Sequence, residues 1–130
     1  MTFANGIVRA PSLDVNAALE DARRQGVTAY ALPAAGVADY IAFFDWVRQA
    51  LPLDPPIQRA GSWDALKDSL WSGLFYSDAQ RFVIIWPNSE AMLPADDRET
   101  ALFILGDVAT NLADSDVTRG RPKELCILVG

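Results

Sequence analysis

Apolar residues recur along this chain with two periods, one helical and one strand-like, and the chain alternates between them. Over residues 62–73, Trp63, Leu66 and Leu70 return at helical spacing and predict an inward face. Ser62 precedes them as an N-cap, and Asp64 falls in the first turn, where the helix dipole favours negative charge. Gly61 and Gly73 bound the segment as breakers. Asp64, Asp68 and Trp71 lie one and two turns apart on another face, away from the predicted core. Like charges at this spacing disfavour an isolated helix, so the acidic pair points to something outside the chain.

The remaining pattern surrounds that helix. Residues 6–9 fit either a short edge strand or an ordered arm. Ser12 can cap a helix through Gln25, with Val15, Ala18, Leu19 and Ala22 on one face, a Glu20–Arg24 pair, and Gly26 as terminator. Residues 27–32 are marked by β-branched and aromatic residues and predict a strand closed by Pro33. Residues 34–51 predict a helix with Val37, Tyr40, Ile41, Phe44, Val47 and Leu51 inward. Phe43 and Trp46 broaden that face as further core. A loop stiffened by Pro55 and Pro56, with Gln58 and Arg59 near its end, leads to residues 62–73.

Residues 75–80 predict a turn, and residues 81–86 form a continuous apolar run, as a strand covered on both faces requires. An acidic start at 94–99 opens a helix to about Ala113, with Leu102, Leu105, Ala109 and Leu112 as its stripe. Gly106 weakens that helix, and Asp107 lies off the stripe. Residues 114–123 form a polar loop, and residues 124–129 a last strand. Strands separated by helices predict parallel pairing through right-handed crossovers. The expected fold is a small two-layer α/β domain, a three-stranded parallel sheet with helices, plus an extra N-terminal helix. The N-terminal helix is Ala-rich and is expected to pack against the flank of the domain.

Composition narrows the chemistry. The chain has 130 residues, enough for one domain with a core. Its net charge is −6, from 11 basic and 17 acidic residues, which argues against nucleic acid as a direct ligand. The acidic balance is compatible with a basic protein partner or with solubility alone. With no histidine, the commonest general base and metal ligand is missing. Cys126 lies in an apolar run and reads as a buried, inert thiol, consistent with a reducing compartment. No signal peptide and no membrane span is expected. Neither a Gly-rich phosphate loop nor a metal-type Cys/His spacing occurs. Asp64, Asp68 and Asp107 could hold a magnesium ion or act as acid and base. From spacing alone a solvated helix face is the plainer reading than catalysis, and the carboxylates make better sense as an anionic recognition patch with Trp71 as aromatic anchor.

The run Ser62-Trp63-Asp64-Ala65-Leu66-Lys67-Asp68-Ser69-Leu70 resembles a helix of the barstar family, intracellular inhibitors of barnase-type ribonucleases. Tyr30-Ala31-Leu32, residues 81–86 with their terminal Trp86, residues 99–111 and residues 124–129 resemble the family's other elements in order. The resemblance spans residues 27–130, which it implies are a barstar-like domain, with residues 1–26 an N-terminal extension whose helix packs on it. It implies a cytoplasmic inhibitor or immunity protein, of the kind found in toxin–antitoxin pairs, that is not an enzyme and needs no cofactor or metal. Its short helix would enter the active site of a basic ribonuclease and replace the RNA phosphate. By position, Asp68 matches the dominant contact, Asp64 its acidic neighbour, and Asp107 the acidic contact on the last helix. Ser62 stands where the family often has Asn. Lys67 stands where a large aromatic is common, and residues 56–61 replace the family's usual loop with its tyrosine and glycine. These departures leave a binding module with a non-nuclease partner as the alternative, with the carboxylate enzyme behind it.

Overall fold

A computed structural model describes residues 1–34, 39–57 and 62–130. In order the elements are β1 (Gly6–Arg9), α1 (Val15–Gln25), β2 (Thr28–Ala31), α2 (Tyr40–Ala50), α3 (Trp63–Phe75), β3 (Arg81–Trp86), α4 (Ser89–Met92), α5 (Ala95–Ala113) and β4 (Glu124–Val129). The sheet has four strands, not the expected three, in the order β1-β4-β3-β2. All neighbours are parallel. The additional strand is β1, which pairs with β4 from Gly6 opposite Cys126 to Arg9 opposite Val129. Asn5 fastens this edge, donating to the Ala109 carbonyl and accepting from the Leu125 N–H. Four residues with every second side chain exposed carry little local signal. Their partner lies more than a hundred positions away, so only the folded sheet reveals the pairing.

The order of the strands explains the layers. The connection from β1 to β2 crosses the whole sheet in one direction, whereas β2 to β3 to β4 steps back in the other. Right-handed crossovers that run in opposite directions place their helices on opposite faces. Accordingly Ala18 and Ala22 of α1 pack with Val83, Ile85, Cys126 and Leu128 on one face. On the other, α2, α3 and α5 share the larger core with Phe82, Ile84, Trp86, Leu125, Ile127 and Val129. Helix α1 therefore adds a partial third layer to the expected two. The alternating faces of β3 and β4 are both buried, which is why these strands read as unbroken apolar runs.

Several local expectations shift. The cap of α1 is Asp14, whose carboxylate accepts from the Ala17 N–H at 3.1 Å, and not Ser12. Gly26 ends that helix in the left-handed region at φ 71°. Glu20 pairs with Arg23, while Arg24 pairs with Asp21. Leu19 is exposed, and so is Ile41, at 60% of its surface. Helix α2 is capped by Asp39, and Val37 lies outside the described residues. Phe43 is buried and Trp46 packs against the main core, as expected. Helix α4 was not anticipated; at four residues it is too short to show a period. It seats Met92, whose sulfur accepts from the Trp86 indole N–H.

Gly73 does not stop α3, which continues to Phe75. A Cβ at Gly73 would overlap the Pro52 carbonyl oxygen. The loop after α2 lies directly on the helix here. The Asp54 N–H donates to the Ser69 carbonyl at 3.0 Å, and the buried Ser69 hydroxyl donates to the Pro55 carbonyl. The missing side chain of Gly73 makes room for this contact, which fixes where α3 stands.

Candidate functional site: the acidic face of α3

Helix α3 begins as the sequence predicts. Ser62 is its N-cap, accepting from the Ala65 N–H at 3.0 Å, and Asp64 occupies the first turn. Leu66, Ser69, Leu70 and Leu74 are buried. Trp63 packs its ring against Tyr40, Phe43 and Phe44, with centroids 5.0–5.9 Å away. One side of the helix is thus committed to the core. The opposite side carries Asp64 and Asp68, both exposed and, among the described residues, in no hydrogen bond or ion pair.

Asp107 of α5 joins this face, but its carboxylate is already engaged. It forms an ion pair with the Lys67 ammonium across the α3–α5 groove, each side chain about one-third exposed. Asp107 holds the Lys67 ammonium above the ordinary lysine range, with smaller help from Asp68 and Asp64. The pair spans two helices forty positions apart in the chain, so no sequence spacing announces it. Trp71 also differs from its expectation as a freely projecting indole. It is half-buried and stacked on Phe75, with centroids 4.7 Å apart and planes 14° from parallel. The Arg121 guanidinium lies over the same Phe75 ring at 5.1 Å. The Trp71 Nε1–H is buried and meets no acceptor among the described residues. Beside it, Lys67, Asp68, Trp71, Ser72, Asn111 and Val117 line an open cleft of about 380 Å³. Gln58 to Gly61, at the end of the preceding loop, lie outside the described residues.

The other end of α3 is held by a residue that the sequence places in a polar loop. Lys123 is only 5% exposed, and its ammonium donates to the carbonyls of Leu74 at 3.0 Å and Ser77 at 2.5 Å. A cation there meets the orphan carbonyls and the negative pole of the helix. Burial pushes the Lys123 ammonium below the ordinary lysine range, and Arg121 adds to the shift. Replacing Lys123 with Met keeps the bulk but leaves both carbonyls without their donor. The expected cost is about 2–3 kcal/mol, seen as a lower urea midpoint with an unchanged slope. An unchanged midpoint would mean that water replaces the ammonium without loss.

Among the described residues no three Asp, Glu, Cys or His side chains gather as a metal ion would require. Asp64, Asp68 and Asp107 therefore do not form a metal-holding cluster among the described residues. No helix among the described residues is long and apolar enough to cross a membrane.

No curated protein and no solved structure matches the chain. The family model described as Barstar (barnase inhibitor) matches residues 27–125, which include β2, α2, α3, β3 and α5 and end at the second residue of β4. The chain belongs to the barstar family, a family of ribonuclease inhibitors rather than enzymes.

Proposed function

We propose that this barstar-family chain inhibits a basic barnase-type ribonuclease by placing Asp68 and Asp64 among the cations of its active site. The carrying observation is the exposed acidic pair, unpaired among the described residues, on a helix that is capped, core-packed and tethered at its far end. Carboxylates held on such a helix lose little freedom on binding, and they can occupy the place of an RNA phosphate. The surplus of acidic residues adds long-range attraction for a basic partner and speeds encounter, most strongly at low salt. In this reading Ser62 borders the contact through the first turn of α3. Trp71 flanks Asp68 at the cleft, and Asp107 stands behind Lys67. A protein of this kind would act in the cytoplasm, as the immunity partner of a ribonuclease toxin.

The test is RNA cleavage by barnase, and by any basic ribonuclease encoded beside this chain, with and without the purified protein. Stoichiometric loss of cleavage by at least one of these enzymes is the expected result. Undiminished cleavage by all of them at excess protein would overturn the proposal. The second reading, a binding module for a non-nuclease partner, draws on the Lys67–Asp107 pair, which places a positive group inside the acidic face.

A further inference from the structure

Lys67 lies between Asp64 and Asp68 along α3 and bonds to Asp107 on α5. These four groups carry one positive and three negative charges, so the face presents a net −2 rather than −3. Asp68 and Asp64 can meet a partner's cations without breaking any bond. Asp107 can do so only by giving up Lys67, whose ammonium would then face the same partner. Trp71 lines the cleft next to Lys67, and its Nε1–H is buried with no acceptor among the described residues.

We propose that Lys67 is the specificity-determining residue of the acidic face. It withholds Asp107 from basic partners and selects a ribonuclease that offers a carboxylate opposite Lys67. This inference rests on the ribonuclease-inhibitor reading. The physical basis is discrimination by repulsion. A site that is basic throughout meets an opposing ammonium at close range, whereas a site with an acidic side chain at that point meets a donor. One residue thereby separates ribonucleases that would otherwise bind the same acidic pair.

Barnase serves as the probe, titrated with the wild type, Lys67→Gln, Asp107→Asn, the double variant and Asp68→Ala. Both Lys67 and Asp107 are partly exposed, so these substitutions leave the core intact. Lys67→Gln is expected to bind about tenfold or more tightly than the wild type, because a like charge is removed and Asp107 is released. Asp107→Asn should cost the Lys67→Gln protein about tenfold but the wild type less than about threefold, since only the former has a free carboxylate there. Equal costs in the two backgrounds, or no gain from Lys67→Gln, would overturn the role of Lys67. If the wild type binds and Asp68→Ala does not, the inhibitor reading stands whatever Lys67→Gln does. No binding by any of the proteins would overturn both the role of Lys67 and a barnase-type target.

Discussion

Asp68→Ala is expected to abolish inhibition of the target ribonuclease while leaving the fold unchanged. Asp68 is exposed and makes no hydrogen bond or ion pair among the described residues, so its loss removes nothing from the core. Helix formation even gains slightly, since Ala is the better helix former and the repulsion with Asp64 disappears. In the complex the balance reverses. The partner's cations would be desolvated against α3, and removing one member of such a pair strands the other. That costs about 3–5 kcal/mol, or roughly two to three and a half orders of magnitude in Kd. The loss should appear chiefly as faster dissociation, because neighbouring charges still steer the encounter. Surface plasmon resonance at two salt concentrations separates these parts. Binding within about threefold of the wild type would place the contact elsewhere.

Gly73→Ala is expected to destabilise the protein, against the direction that helix propensity predicts. In an open helix the change would gain about 1 kcal/mol. Here the new methyl would overlap the Pro52 carbonyl oxygen, and a backbone group cannot step aside as a flexible side chain can. Either α3 or the loop must move, and both are tied together through Ser69. Overpacking of this kind costs about 1–3 kcal/mol and occasionally more, so a net loss of about 2 kcal/mol is expected. Urea denaturation gives the sign directly. A raised midpoint would mean that the close approach of Pro52 is not maintained in solution.

The contrast between Gly73 and Ser62 shows what a linear sequence can reveal. Ser62 acts within one turn of its own position, so its capping role is readable from spacing. Gly73 acts on a segment beyond the helix it belongs to, and in isolation it resembles a terminator. The same division runs through the rest of the chain. The two central strands were legible because both of their faces are buried. Strand β1 was not, because its evidence is a pairing with the far end of the chain. Ile41 fits a helical stripe but falls on its margin, where burial stops. At the candidate site, the positions of Asp64 and Asp68 followed from period alone. The engagement of Asp107 by Lys67 and the anchoring of α3 by Lys123 depend on contacts between distant segments.

Cutting the chain at residue 27, where the family match begins, would strip β1 and α1 from the sheet. Strand β4 would become an open edge made almost wholly of Leu, Ile, Cys and Val. Such edges template pairing with other chains. The face formed by Val83, Ile85, Cys126 and Leu128 would lose its cover. The Cys126 thiol, which burial now pushes to about 11, would come to the surface in a more reactive state. Residues outside the recognised family region thus cover both the β4 edge and the Cys126 face, and the shortest fragment that carries the acidic helix would be a poor reagent for studying it.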